Sequence, residues 1–329
     1  MDESLNNKKI IPFKVLEILK RETDEEHRLT QMKIVDILQD QYDLNCDRRT
    51  VANSLEMLAG QLRYDIDKNR DGYCLLDRDF EDAELRMLID SVLFSKILTK
   101  NQAKRLLDKI KNLGNKYFSK SVPEVEMMGG IGWSQNPHFI QSVAKLNEAI
   151  HKKKQVEFPY LKYNEKLQLC ETGHKYLVNP YYLLAANGFY FLLGNYNKYN
   201  NVSYYRIDRM GEVDILNTKV KPKKQVKGLT EIWDLPKHMA EHIYMFSGET
   251  VKVEIKTTKD MVSDFVDWFG KDILIKPLKD NEIIVTVHSN EQAIFYWLLQ
   301  YGMYVEVLKP QSLRDKMKEA VLNLQKKYC

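Results

Sequence analysis

A chain of 329 residues with 44% hydrophobic content carries apolar material for two or three cores, which excludes a single small domain. Its 50 basic and 46 acidic side chains leave a net charge of +4, too mild to point to nucleic acid by itself. The distribution sharpens the point, because residues 1–80 hold 13 Lys and Arg against 17 Asp and Glu, a net of −4, which leaves +8 for the remainder. The richest apolar run, Tyr181 to Gly194, is broken by Asn187 and Gly188, and no stretch reaches the roughly 18 apolar residues of a membrane span. Met1 to Lys9 is polar and charged with no apolar block behind it, so no secretory signal is read and a cytoplasmic location is expected. Cys46, Cys74, Cys170 and Cys329 lack any CxxC spacing and read as free thiols.

Taken in chain order, Ile11, Val15, Ile18 and Leu19 repeat at helical spacing and predict a first helix. Thr30 caps a second, carrying Ile34, Val35, Ile37 and Leu38, and a third starts near Asp47 and ends near Leu62. Two short β-type runs around a polar turn, Asn69-Arg70-Asp71-Gly72, predict a hairpin. Three helices and a hairpin in this order spell a winged helix-turn-helix over residues 1–80. Residues 81–137 read as connecting helices followed by a linker from Ser119 to Pro137 that contains Gly129-Gly130-Ile131-Gly132. After a helix near Phe139 to Ile150, β-type runs at Val156 to Tyr160, Tyr181 to Ala185, Phe189 to Leu193 and Ser203 to Ile207 predict a small barrel within residues 138–218. Residues 219–329 read as a connector and then strand, helix, strand, helix, with a final helix from Ser312 to Lys326. The expected class is α+β multidomain.

The third helix is the candidate DNA reader. At 100° per residue Val51, Leu55 and Leu58 share one stripe that faces a core, which places Arg49 and Asn53 opposite. Arginine pairs bidentately with guanine and asparagine with adenine in the major groove. Arg48 and Thr50 flank that face as phosphate contacts, while Lys68 and Arg70 flank the wing turn and reach for backbone or minor groove. Glu56 shares the exposed face and opposes phosphate. Asp47-Arg48-Arg49-Thr50-Val51 followed by Leu55-Glu56-Met57-Leu58 resembles the recognition helix of WYL-type bacterial regulators.

A stronger resemblance lies downstream. Asn179-Pro180-Tyr181-Tyr182-Leu183, Gly188-Phe189-Tyr190-Phe191-Leu192 and Tyr204-Tyr205-Arg206-Ile207-Asp208-Arg209-Met210 are similar to the WYL pattern in order and spacing, with Phe189-Tyr190-Phe191 standing at the naming tripeptide and Ser203 where many relatives have arginine. Asp267-Trp268-Phe269-Gly270-Lys271-Asp272 and Tyr296-Trp297-Leu298-Leu299-Gln300-Tyr301-Gly302 resemble the C-terminal extension of that family. The resemblance implies an Sm-like or SH3-like barrel with a basic pocket for a nucleic acid or nucleotide-like effector, dimer contacts in the extension, and a repressor's role at a palindromic operator. From the residues themselves, Arg206 and Arg209 are three apart and converge only if the strand ends or bulges near Asp208. Tyr160 and Tyr182 are the candidate stacking residues. The competing reading pairs Asp208 with one arginine in a structural salt bridge. Trp268 and Trp297 read as core or interface.

His238-Met239-Ala240-Glu241-His242 matches the HxxEH spacing of inverted zinc peptidases, yet spacing identifies no third ligand. A surface helix, no metal, no cofactor and no catalytic residue are therefore expected. There is no GxxxxGK[ST] and no GxSxG, and the glycine cluster follows no strand and so makes no dinucleotide loop. The rival functions are a single-stranded nucleic-acid-binding accessory module and, behind it, a zinc hydrolase.

Overall fold

The computed structural model describes residues 3–122, 134–229 and 234–329, with the side chains of 3–8, 235 and 236 left out, and resolves two compact units, Met1–Trp133 and Ser134–Cys329. The glycine cluster at 129–132 lies outside the described residues.

In the first unit α1 (Glu3–Glu22), α2 (Gln31–Tyr42) and α3 (Arg48–Gly60) precede a hairpin of β1 (Ile66–Asn69) and β2 (Gly72–Leu75). The predicted periodicity is what packs: Ile11, Val15, Ile18 and Leu19 of α1 meet Ile34 and Leu38 of α2 and Val51, Leu55 and Leu58 of α3 in one buried cluster. Thr30 Oγ1 accepts from Lys33 N at 3.3 Å and Asp47 Oδ1 from Thr50 N at 2.7 Å, so both later helices start where a capping side chain satisfies an orphan amide. In the turn Asn69 Oδ1 accepts from the amides of Asp71 and Gly72. Gly72 sits at φ 135°, and a Cβ there would stand 2.4 Å from the Leu29 carbonyl oxygen. That closeness has a cause which the pattern did not announce: Leu29 pairs with Tyr73 through two backbone hydrogen bonds of 3.0 and 2.9 Å and adds a third rung to the hairpin. Three further helices follow, α4 (Asp82–Leu93), α5 (Lys100–Lys111) and α6 (Lys116–Ser121). The last corrects the expected linker start at Ser119, since Asn115 caps α6 through the amides of Tyr117 and Phe118.

In the second unit α7 (Phe139–Lys152) lies against a five-stranded antiparallel sheet of β3 (Lys154–Tyr163), β4 (Leu169–Ala186), β5 (Phe189–Tyr196), β6 (Ser203–Arg206) and β7 (Asp214–Lys219). The spatial order is β6-β5-β4-β3-β7, and no ladder joins the two outer strands. The closed barrel expected from the sequence is thus not formed. Bulges at Pro159/Leu161 and Pro180/Tyr182 bend β3 and β4, but β6 has only four residues and passes into a 3-10 turn, Ile207–Arg209, before it can pair onward. Strand β4 begins twelve residues before the predicted run because its first half, Leu169 to Lys175, is mostly exposed and polar and carries no apolar alternation.

The chain continues with α8 (Leu235–Glu241) and an α+β module: β8 (Thr250–Thr258), α9 (Val262–Phe269), β9 (Leu274–Pro277), β10 (Glu282–Asn290), α10 (Glu291–Gln300), β11 (Glu306–Lys309) and α11 (Gln311–Tyr328). Its sheet runs β11-β8-β10-β9, all antiparallel. Val253 and Ile255 on β8, and Ile283, Val285 and Val287 on β10, alternate inward onto α9 and α10, whose Phe265, Phe269 and fully buried Trp297 complete the core. Trp268 packs half-buried beside them, its indole N–H donating to Tyr301 Oη at 3.1 Å.

Candidate nucleic-acid and effector sites

Helix α3 turns its stripe inward as read: Val51 and Leu55 are buried, joined by Ser54, whose hydroxyl donates to the Thr50 carbonyl at 2.8 Å. Arg49, Asn53 and Glu56 are exposed together on the other side. Thr50 is half-buried and its hydroxyl donates to Asp47 Oδ1 at 2.7 Å, so it acts first as part of the cap. Arg48 is exposed, but its Nε donates to Gln31 Oε1 at 2.6 Å, and Gln31 Nε2 donates to Tyr73 Oη at 3.0 Å. Lys68, opposite Tyr73 in the hairpin register, holds its ammonium 5.4 Å from the centre of the Tyr73 ring. A polar chain thus runs from the first turn of α3 through the start of α2 to the wing, and brings Arg48 and Lys68 into one network. Arg70 is exposed in the turn beyond it. Gln31 and Tyr73 were missed by the sequence reading, since nothing in their spacing announces a contact between residues 42 positions apart.

In the second unit β6 ends at Arg206, which satisfies the condition for the two arginines to leave opposite faces. Among the described residues, the cavity that Arg206 lines does not include Arg209, however. Arg206 turns back onto Asp208, donating from Nε to Oδ1 at 3.1 Å and from Nη2 to Oδ2 at 2.7 Å, and its guanidinium lies 3.5 Å from the centre of the Phe189 ring. The structural salt bridge weighed above is therefore present, formed with a buried carboxylate. Arg209 is half-buried with its Nε enclosed and, among the described residues, without a hydrogen-bond partner. The 3-10 turn that separates them is pinned by Asn136, whose side-chain amide donates to the carbonyls of Asp208 and Met210 at 3.0 and 2.6 Å.

Arg206 opens onto a cavity of about 650 Å³ that it shares with Tyr160, Phe189 and Tyr204 of the sheet, with Tyr244 and Phe246 from the segment between α8 and β8, and with Tyr296 of α10. Tyr160 lines this cavity: its hydroxyl accepts from the Arg206 amide at 3.1 Å, and burial pushes its pKa up. Of the four hydrogen-bonding nitrogen sites on the Arg206 residue, Nη1 makes no hydrogen bond among the described residues. The group can therefore offer that edge to an anion while its plane rests on Phe189. Tyr182 is a correction. It lies on a different cavity with Lys223, whose ammonium hydrogen-bonds its hydroxyl, because the bulge at Pro180/Tyr182 directs it away from β6. Tyr244, Phe246 and Tyr296 had no local signal toward the pocket, since only tertiary packing carries them to the sheet.

The HxxEH pair is buried, not on a helix surface as expected: His238 and His242 are 8% and 7% exposed and stack with ring centres 4.3 Å apart. Burial, and secondarily the neighbouring His242, push the His238 pKa down to about 3, and burial lowers that of His242. Both shifts favour the neutral ring. His238 Nε2 lies 2.5 Å from Tyr204 Oη and His242 Nδ1 lies 3.1 Å from the Phe246 carbonyl, so the pair braces two walls of the Arg206 cavity. Among the described residues no group of three His, Cys, Asp or Glu is placed to hold a metal ion. No helix among the described residues is long and apolar enough to cross a membrane.

A five-stranded open sheet with an arginine-bearing turn, followed by a compact α+β module, defines a two-module C-terminal unit, and comparison with known families assigns both parts. The WYL domain matches residues 141–215 and the WCX domain residues 249–324. A chain that carries both domains resembles the WYL domain transcriptional regulators. It is 27% identical over 186 residues to "Uncharacterized HTH-type transcriptional regulator YobV" of Bacillus subtilis (strain 168), a match spanning 56% of this chain and 55% of that protein. Two solved structures show a loose overall likeness. The proteasome accessory factor B/C (PafBC) of Arthrobacter aurescens has 16% identity and a TM-score of 0.33, covering 97% of this chain and 48% of its own. A CRISPR Cas-related protein has 14% identity and a TM-score of 0.40, with 99% and 85% covered. At those scores neither contributes to the reading of this chain.

Proposed function

We propose that this protein is a cytoplasmic, homodimeric DNA-binding transcription regulator whose activity responds to an anionic effector. Residues 1–80 serve as the winged helix-turn-helix, 81–137 as connector, 138–218 as the sensing domain built on the open five-stranded sheet, and 219–329 as connector and dimer-forming extension. The observation that carries the reading is the exposed Arg49 and Asn53 face of α3, set opposite a buried stripe and coupled through Arg48, Gln31 and Tyr73 to a wing. In a dimer two such helices enter successive major grooves of a palindromic operator, about 34–36 Å apart. The acidic balance of residues 1–80 keeps nonspecific affinity low, so discrimination rests on these few side chains.

The effector is a nucleic acid or nucleotide-like anion held at Arg206 with Tyr160 and the aromatic walls, where ring stacking and one guanidinium edge favour a base beside a phosphate. Because that cavity is walled by both modules of the second unit, occupancy favours one arrangement of them, and a differential affinity of about 1–3 kcal/mol between states suffices to change DNA occupancy. Family resemblance favours repression.

Selection of randomised duplex DNA by the purified protein tests this. A two-fold symmetric winner with half-sites one helical turn apart is expected, and Arg49→Ala should lose discrimination at one base position by about 1–3 kcal/mol. Arg206→Ala should keep operator binding and lose the response to added nucleotides or short single strands. Absence of enrichment, together with tight single-strand binding, would replace the regulator with the accessory module.

A further inference from the structure

A second cavity of about 670 Å³ opens where the end of α7, the bend of β4 and the segment after β7 meet. Five lysines border it: Lys153, Lys219, Lys221, Lys223 and Lys224. No carboxylate does so among the described residues. The rest of the wall is apolar or aromatic, chiefly Ile150, Pro180, Tyr181 and Tyr182.

The fold holds these lysines deliberately close. Lys153 is the left-handed cap of α7, at φ 52°, and its carbonyl accepts from the Val220 amide at 3.1 Å, which joins the cap to the segment carrying three of the others. Lys221 is fixed from both sides: its amide donates to the buried side-chain oxygen of Asn179 at 2.9 Å, and its carbonyl accepts from Tyr181 Oη at 2.7 Å. Its ammonium is used locally, on the Tyr199 carbonyl and Asn200 Oδ1, and Lys223 holds its own 4.2 Å from the centre of the Tyr182 ring. Lys153, Lys219 and Lys224 are exposed and form no ion pair among the described residues. Lys219 also stands directly opposite Lys154 in the β3–β7 ladder, a like-charge pairing that costs the sheet stability. Five lysines with no carboxylate on the cavity wall among the described residues, beside an apolar surface large enough to cover a small molecule, suit an anion.

We propose that this cavity binds a small phosphorylated ligand, one carrying at least two negative charges on a planar or apolar body, independently of the Arg206 cavity. Lysine serves phosphate as a mobile point charge, so three uncommitted ammonium groups suit a diphosphate or triphosphate better than a single carboxylate. Tyr181 and Tyr182 cover the body. Ligand binding relieves the Lys154–Lys219 repulsion and raises the thermal stability of the sheet.

The test is calorimetric titration of the full chain at low salt with ATP, tripolyphosphate and adenosine as probes, alongside thermal shift. One ATP per chain is expected in the Arg206→Ala variant, where only this cavity is left to bind it, with tripolyphosphate weaker, adenosine at least ~100-fold weaker, and affinity falling as salt rises. The double variant Lys219→Gln/Lys224→Gln, both exposed and free of ion pairs, should lower ATP affinity by ~10-fold or more and melt no lower than the parent. Arg206→Ala should leave ATP affinity within ~2-fold, which separates this site from the proposed effector site. Failure of both ATP and tripolyphosphate to bind below ~1 mM overturns the proposal. So does ATP binding that the lysine variant leaves intact, or that Arg206→Ala abolishes. Displacement of ATP by a ten-nucleotide single strand at far lower concentration would make the cavity a nucleic-acid track and equally refute a small-ligand site.

Discussion

Acidification from pH 8 to pH 5 should weaken the second unit through His238, well before its carboxylates titrate. In the folded chain burial beside His242 pushes the His238 pKa down to about 3, against an ordinary value of 6.5. A depressed histidine binds its proton less readily when folded. The unfolded chain therefore takes up the proton first, and stability that is complete above pH 6.5 declines as pH falls toward 3. At pH 5 the unfolded group is almost fully protonated and the folded group almost not at all, and linkage converts that difference into a loss of about 2 kcal/mol. His242, lowered by burial as well, acts in the same direction. Glu249, held down by Lys227, loses its contribution only below the ordinary carboxylate value of 4.5, outside this window. Urea unfolding followed by tryptophan emission reads the change, since Trp297 is fully buried in the same unit. His238→Gln, which can still accept from the Tyr204 hydroxyl, should remove about half or more of the pH dependence. A wild-type midpoint that does not move between pH 8 and 5, or an unchanged dependence in the variant, would refute the reasoning.

Loss of the α3 cap in Asp47→Ala should cost about 1 kcal/mol and weaken DNA binding further than that, because the cap also positions the first turn that carries Arg48 and Arg49; denaturation and operator titration separate the two effects. Gly72→Ala forces a Cβ toward the Leu29 carbonyl at a positive φ, so the first unit should lose about 2 kcal/mol or more and Leu29 and Tyr73 amide protection should fall together on hydrogen exchange. Trp297→Ala should cost about 3–5 kcal/mol in the C-terminal module, read by thermal unfolding, since Phe265, Phe269 and Tyr301 all pack on that ring.

The amino-acid order alone determined the first three helices of the first unit. Their cores are single stripes at i, i+4 and i+7, and their starts are capping side chains acting over three residues, so both signals are local. Val51, Leu55 and Leu58 could therefore be assigned inward, and Arg49 and Asn53 outward, without a fold. The alternating strands Val251 to Ile255 and Ile283 to Val287 were legible for the same reason. Tertiary structure decided everything that depends on register or on distant partners. The polar first half of β4 forms a strand only because β3 pairs with it, and the barrel stays open because β6 stops after four residues. Tyr182 is parted from Arg206 by a bulge, and the two buried histidines owe their lowered pKa values to walls contributed from elsewhere in the chain. Five lysines scattered between 153 and 224 became a site only when the α7 cap was joined to the segment after β7. Sequence spacing encodes periodicity along one element, whereas a pocket is made by backbone hydrogen bonds between elements, and those are set by which surfaces pack.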